Sequence, residues 1–444
     1  MRSSFIHLAD IHLGYEQYGV RERFNDFTHA FWRILKDAED RNVDFVAIAG
    51  DLFNKRAIDA MTLAHALDGL KRLKAAGIPV LAVEGNHDRS YYRDGFSWMQ
   101  FLSYEGYLTL LSPEMRDGVP VIAPWSQETM QGAYVDLMDG RLRVYGLPWQ
   151  GSATIKSMEG MAQAMREVRA DEDARGVEYR LLMMHTGLDE MSARIQGLPS
   201  MAHFQPLQEC VDYLALGHVH KPYALSGWMY NPGSTETCSA EEAQWQDRGY
   251  FYVQVDTDEP ERIGIRPDMR ERVHRAEQIV GERRPFIRHN LRVDGLDEPH
   301  ALHARLEDYC RQEGDPHPEA GKEPVVQISL FGTLSFDAGA LDISHMEEIV
   351  REAFHPLYVR VENNTNDQDY IPDDDALDGR DRTTWHELER HILEELVARD
   401  NRYLPAKEQW GAVLADLKRM SLDDDDPVHI ADYLRERRET LLER

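Results

Sequence analysis

Apolar residues recur through the first 275 positions in two alternating rhythms. Short, mainly apolar runs at 5–9, 43–49, 80–84, 119–123, 142–146, 181–184, 213–216 and 250–255 have the length and composition of strands buried on both faces. Between them, Phe24, Phe27, Phe31, Ile34, Leu35 and Ala38 share one helical stripe, as do Leu63, Leu67, Leu70 and Leu73. This alternation predicts an α/β fold, a sheet core covered by helices on its faces.

A smaller α/β unit is expected over 285–362. Ile287, His289, Leu291 and Val293 alternate as in a strand, Leu302, Leu306, Tyr309 and Cys310 mark a helix, and Val326, Ile328 and Leu330 mark a second strand. Ser344-x-x-Glu347 reads as a capping box opening a helix with Met346, Ile349, Val350 and Ala353, and 357–361 closes the unit. Residues 363–382 hold seven Asp and little apolar content, which predicts a solvated linker. From 383 to 444 the pattern is helical. Thr384-x-x-Glu387 opens a stripe of Trp385, Leu388, Ile392 and Leu396, and Trp410, Val413, Leu414, Leu417 and Met420 form another. The acidic run 423–426 and Pro427 precede a last helix. So few helices bury little core alone, so they fold back on the chain or dock on a partner.

At 444 residues the chain has room for two to three domains. No uncharged run approaches a membrane span, and His7 and Asp10 break the first apolar stretch with no cleavage site after it. Cys210, Cys238 and Cys310 are odd in number and lack a CxxC, which argues against a disulfide framework. A cytoplasmic location is expected, with no membrane association. The net charge of −29 repels polyphosphate. A nucleic-acid substrate would therefore require a local basic surface, a bound metal or a partner.

The chemistry lies where apolar runs stop. Five runs lead directly into Asp10-Ile11-His12, Gly50-Asp51, Gly85-Asn86-His87-Asp88, His185 and Gly217-His218-Val219-His220. Open α/β sheets place ligands at the carboxyl ends of strands, so these groups can converge from far apart in sequence. Each piece has an ordinary reading as a turn or surface group; five in the same structural position do not. Mixed Asp, His and Asn donors suit manganese, iron or zinc, and none of these ends offers a thiolate. Asp51 has two oxygens with which to bridge ions about 3.5–4 Å apart in a two-metal hydrolase. Gly50, Gly85 and Gly217 fit turns where ligand backbones crowd, and Asp88 stands where it can orient a ring nitrogen. Arg89, Tyr91, Tyr92 and Arg93 follow as candidates to grip DNA by charge and stacking, although an ordinary exposed loop would look much the same.

The segments HLADIHLGYEQ, VDFVAIAGDLF, IPVLAVEGNHDR, LGHVHKP and NPGST resemble the calcineurin-like metallophosphoesterases. Within them, they are most similar to double-strand-break repair nucleases of the SbcD type and their archaeal and eukaryotic counterparts. The motif likeness covers residues 1 to about 240. It implies a nuclease domain over 1–275, a DNA-binding cap over 285–362, and one metal on Asp10, His12, Asp51 and His220. The second metal would sit on Asp51, Asn86, His185 and His218, with His87 contacting the scissile phosphate and assisting the leaving oxygen. The resemblance further implies two divalent ions, preferentially manganese, exonuclease action on duplex ends and endonuclease action on single strands. It also implies an SMC-like coiled-coil ATPase of the SbcC type bound through helices after the cap, here 383–444, and members commonly dimerise. One departure stands out: Asn54 replaces a histidine usual in archaeal and eukaryotic relatives. Asn can donate a hydrogen bond to phosphate but cannot transfer a proton. The same centre would serve a small phosphodiester equally well. Asn54 and the acidic surface are the only features pointing to a weakly catalytic scaffold subunit.

Overall fold

Successive residues of the strand Arg2–Leu8 face different cores: Phe5 packs in one apolar cluster, Ile6 and Leu8 in another. The computed structural model that displays this describes residues 1–91, 95–192, 195–265, 273–315, 317–319, 321–367, 393–394, 397, 403, 406–422 and 427–442. In chain order the strands of the two main sheets and one small hairpin are β1 (Arg2–Leu8), β2 (Phe45–Ile48), β3 (Val80–Ala82), β4 (Thr109–Leu110), β5 (Met115–Arg116), β6 (Val119–Pro120) and β7 (Tyr134–Leu137). They continue as β8 (Leu142–Leu147), β9 (Tyr179–Met184), β10 (Tyr213–Leu216), β11 (Tyr223–Leu225), β12 (Met229–Asn231), β13 (Gly249–Asp256) and β14 (His274–Val280).

One sheet runs β14-β13-β1-β2-β3-β4, the other β11-β12-β10-β9-β8-β7. In the first, β1 to β4 are parallel and β13 and β14 antiparallel. In the second, β8, β9, β10 and β12 are parallel, with β7 and β11 as antiparallel edges. A core containing Phe5, Phe45, Leu81, Leu181, Tyr213 and Phe251 lies between the sheets. The outer face of the first sheet packs on α1 (Arg21–Asp40), α2 (Ala60–Ala75) and α3 (Trp98–Tyr104). That of the second packs on α4 (Thr154–Ala174) and α5 (Met201–Gln208). Helix, sheet, sheet, helix is the layering, and it explains the continuous apolar runs: central strands are covered on both faces. His7 is a polar exception between the sheets. Its Nε2 donates to the Leu216 carbonyl and its Nδ1 accepts from the Tyr213 hydroxyl, both at 3.0 Å, so the ring is neutral.

The small unit is a sheet of β15 (Phe286–Arg292), β16 (Val325–Leu334) and β17 (Tyr358–Asp367), backed by α6 (Pro299–Glu313) and α7 (Ile343–Phe354) around its own core. It belongs to one compact unit with the sheets, Met1–Asn366. Arg284 fastens it, with Nε 2.7 Å from Asp26 Oδ2 on α1 and Nη1 2.8 Å from the Glu323 carbonyl. Tyr18 stacks on Tyr358 with ring centres 4.2 Å apart.

Four expectations change. The run 119–123 forms only a short hairpin strand, β6, outside both main sheets. The first domain extends past 275, because β14 completes its sheet to Val280. Asp342, not Ser344, caps α7 by accepting from the His345 amide at 2.9 Å, so Ser344 lies within the helix. β17 runs to Asp367, so the start of the expected linker belongs to the sheet. The rest of that linker, the Thr384 capping box, and Trp385, Leu388, Ile392 and Leu396 lie outside the described residues.

A second unit, Asp367–Arg444, contains α8 (Lys407–Leu422) and α9 (Pro427–Leu442). The Tyr433 hydroxyl donates to Asp416 Oδ2 at 2.7 Å between them. Among the described residues, no helix is long and apolar enough to cross a membrane.

Candidate metal centre

The parallel strands of both sheets deliver their following residues to one place: Asp10 and His12 after β1, Asp51 after β2, Asn86 and His87 after β3, His185 after β9, and His218 and His220 after β10. The first two turns interlock. Ile11 and His12 both donate backbone N–H groups to the Asp51 carbonyl, at 2.9 and 3.1 Å, and Leu13 donates to that of Leu52 at 2.9 Å. Asp10, His12, Asp51 and His218 all hold left-handed backbone conformations, φ 52° to 78°. Each such residue costs about 1–3 kcal/mol and persists only where the surroundings fix it. A Cβ on Gly85 would fall on the Asp51 carboxylate, and one on Gly50 on the His185 ring, so both glycines are sterically required.

Asp51 is common to two groups whose donor atoms lie within 4.8 Å of one another, one with His12 and His87, the other with His185 and His218. Its Oδ2 is 3.2 Å from His185 Nε2, and its Oδ1 accepts from the His87 amide at 2.9 Å. Asn86 Oδ1 lies 3.1 Å from His185 Nε2. Both Asp10 oxygens accept from the His218 amide at 3.0 Å, and Oδ1 is 4.0 Å from His220 Nε2. The Nε2 atoms of His12 and His220 are 3.1 Å apart, while the buried Nδ1 of His12 has no hydrogen-bond partner. Crowded ring nitrogens and carboxylate oxygens, some unsatisfied, fit divalent cations of borderline hardness.

Acceptors on the far side of three rings set their tautomers. His185 Nδ1 donates to the Ala49 carbonyl at 2.8 Å, His220 Nδ1 to Glu242 Oε1 at 2.7 Å, and His87 Nδ1 to the Asn54 carbonyl at 2.6 Å. Each leaves Nε2 to face the centre. Burial opposes charge on Asp51, but His185 and its other histidine neighbours prevail and hold the carboxyl well below the usual range. Burial likewise opposes protonating His185, yet Asp51 lifts it to about 9. Burial, helped by neighbouring histidines, pushes His12 and His218 down to about 3 and keeps them neutral donors.

Two readings of the sequence are corrected. Asp88 orients no ring. It accepts from the backbone amides of Leu52, Phe53 and Gly85 at 3.0–3.3 Å, bracing the two turns that carry Asp51 and Asn86. A thiol does reach the centre: donor atoms of His12, His220 and Cys238 lie within 4.8 Å of one another. Glu242 was not anticipated either. It receives Arg248 Nη1 at 2.6 Å and the Cys238 amide at 2.9 Å besides His220. Its 3-10 turn, Ala240–Gln244, carries no periodic signal.

At the rim, the Arg89 guanidinium stands 5.8 Å from the Trp149 ring centre and Arg56 stands 5.9 Å from that of Tyr91. Arg93, like Tyr92, lies outside the described residues. Beside His218 and His220 opens a cavity of about 430 Å³ lined by Met191, Ile195, Lys221 and Trp245.

Residues 3–222 match the calcineurin-like phosphoesterase family, whose metal-binding class these layered sheets and this ring of donors define, and the chain belongs to it. Its curated relatives include several archaeal DNA double-strand break repair proteins. It is 32% identical over 253 residues to the DNA double-strand break repair protein Mre11 of Archaeoglobus fulgidus, covering 54% of this chain and 51% of that one. The protein of the same name from Halobacterium salinarum is 37% identical over 267 residues, 59% of this chain and 58% of that one. The chain thus spans about half the length of the curated relatives it matches. Among solved structures, the calcineurin-like phosphoesterase YfkN from Bacillus subtilis aligns with a TM-score of 0.34 at 12% identity, over 57% of this chain and 84% of that one.

Proposed function

We propose that the chain is a manganese-dependent, two-metal DNA nuclease, an exonuclease on duplex ends and an endonuclease on single strands, acting in DNA end processing and double-strand-break repair. The observation that carries this reading is the convergence of Asp10, His12, Asp51, Asn86, His185, His218 and His220 from two sheets, with Asp51 common to two donor groups. In it, Asp10, His12, Asp51 and His220 hold one ion, and Asp51, Asn86, His185 and His218 the other. Bound ions of this kind supply Lewis-acid polarisation of a phosphoryl group. The remaining work belongs to the chain's residues. The Asn54 carbonyl holds the Nδ1 proton of His87, so Nε2 is the atom that takes up a second proton and passes it to the leaving oxygen, returning the ring to its neutral Nδ1–H form. Ala49 and Glu242 hold the His185 and His220 rings with Nε2 free to bind an ion. Arg56, Arg89 and Tyr91 offer charge and stacking at the rim of an otherwise acidic molecule; Arg93 and Asn54 are proposed with them as DNA contacts.

DNA as substrate is favoured by the names of the relatives, which are double-strand break repair proteins. The cap at 285–362 fits a DNA-binding role, and the helices of 383–444 fit docking on an SMC-like coiled-coil ATPase of the SbcC type, with the chain as a homodimer. One observation favours a second reading: the cavity of about 430 Å³ beside His218 and His220 suits a single small phosphodiester.

Cleavage of end-labelled linear duplex and of circular single-stranded DNA, in manganese and separately in magnesium, tests both readings. Manganese-dependent cutting that disappears in Asp51→Asn is expected. Hydrolysis of a small diester with both DNA substrates intact would replace the first reading by the second.

A further inference from the structure

We infer that Cys238 is an additional ligand at the His12–His220 end of the centre, engaged by borderline and soft divalent ions such as zinc and cobalt but not by manganese. The inference rests on the metal-centre reading above and extends it to which ions the site captures. Donor atoms of His12, His220 and Cys238 already lie within 4.8 Å of one another. The two Nε2 atoms stand 3.1 Å apart, and Glu242 occupies the other nitrogen of His220, so the His220 lone pair is directed at His12. His12 keeps a buried ring nitrogen without a hydrogen-bond partner.

The thiol is carried on the frame that orients the ring. The Cys238 amide donates to Glu242 Oε2 at 2.9 Å while Oε1 of the same carboxylate accepts from His220 Nδ1. Moving Cys238 and turning His220 are therefore linked through one anchored side chain, which Arg248 also holds. The thiol makes a long, weak bond to the Glu236 carbonyl, 3.6 Å, lies against the His220 ring, and is not in a disulfide. A bond of that kind gives way readily to a metal–sulfur bond of about 2.3 Å.

Two imidazoles and a thiolate leave one position of a tetrahedron, which Asp10 or water can fill, and tetrahedral N/S coordination is the geometry zinc favours. Thiolate selects soft and borderline ions, whereas manganese is served by carboxylate, carbonyl and water. On capture, the sulfur–metal bond forms as the S–H bond breaks, and the proton passes to solvent. Zinc at this position gains a protein ligand that manganese does not use, so zinc displaces manganese from the centre and arrests it.

Titrating the metal-free full-length chain with cobalt(II), followed by absorption, tests the inference without reference to activity. Visible ligand-field bands together with a near-ultraviolet sulfur-to-cobalt charge-transfer band are expected. Cys238→Ser should abolish the charge-transfer band, keep the ligand-field bands, and weaken zinc binding by about tenfold or more, as losing a supporting group at a metal site does. Ligand-field bands without charge transfer in the unmodified chain would overturn the role of Cys238 and leave the metal centre standing. If no ligand-field bands appear, the metal-centre reading fails with it.

Discussion

His87 is held by Asn54 through the main chain: the imidazole Nδ1 donates to the Asn54 carbonyl oxygen at 2.6 Å. The Asn54 side chain takes no part in that bond. Asn54→Ala should therefore keep DNA cleavage within about tenfold of the unmodified rate, less than 1.4 kcal/mol of barrier. His87→Ala should lower the rate by about 10²–10⁴ with manganese affinity unchanged. Single-turnover cleavage and calorimetry distinguish the two, and equal losses would assign the function to the side chain at 54.

Glu242 acts on the centre through His220, whose ring it fixes at 2.7 Å. Glu242→Gln leaves a weaker, uncharged acceptor and frees Arg248 from its carboxylate. A manganese affinity lower by about 10–100-fold is expected, the usual price of losing such a partner. Calorimetric titration gives the number, and unchanged affinity would remove Glu242 from the site.

Glycine substitutions separate crowding from backbone strain. Gly85→Ala puts a methyl group onto the Asp51 carboxylate and should abolish high-affinity metal binding. Gly77→Ala meets no atom within 4 Å but holds φ +73°, so it should lower stability by about 1 kcal/mol and leave metal binding intact. Melting curves with and without manganese read both effects.

The neutral His7 between the sheets makes stability depend on pH. Burial lowers its pKa to about 3, outweighing its bond to the Leu216 carbonyl, while the unfolded imidazole titrates near 6.5. Between those values the unfolded chain binds a proton that the native chain refuses. Stability is thus complete above about 6.5 and falls with decreasing pH by up to about 1.4 kcal/mol per unit. His7→Gln can keep both hydrogen bonds without titrating. Urea midpoints measured across this range should show its slope reduced by one proton, and parallel slopes would contradict a neutral buried His7.

Arg23 is fully buried on α1, where it meets Gln17, Asp26, Glu236 and the Thr237 carbonyl. Arg23→Ala leaves the buried Glu236 without its cation, while Asp26 keeps Arg284, and should destabilise the fold by about 3–5 kcal/mol in denaturant unfolding. A loss under 1 kcal/mol, the figure for an exposed pair, would show that the network is solvated.

How much of this could be read from the residues follows from where burial is two-sided. The run 213–216 coincides with β10, and the runs that open β1, β2 and β9 differ from them by a few residues, because covered strands are apolar throughout. β14, HRAEQIV, was passed over because it is an edge strand whose residues are mostly exposed or half-buried. The expected metal ligands stood out because each ends an apolar run. Cys238 and Glu242 did not, since they follow no apolar run and reach the centre through tertiary hydrogen bonds, among them those of Glu242 to His220 and to the Cys238 amide. Asp342 displaced Ser344 as a cap because its charged oxygen, two residues earlier, already accepts from the His345 amide in the first turn of α7.

Asp10, His12, Asp51, Asn86 and His87 ride on one sheet, and His185, His218 and His220 on the other. Any shear of one sheet across the other, even by a fraction of an ångström, is therefore a change in donor spacing. The apolar layer between the sheets fixes the spacing between the two sets of donors.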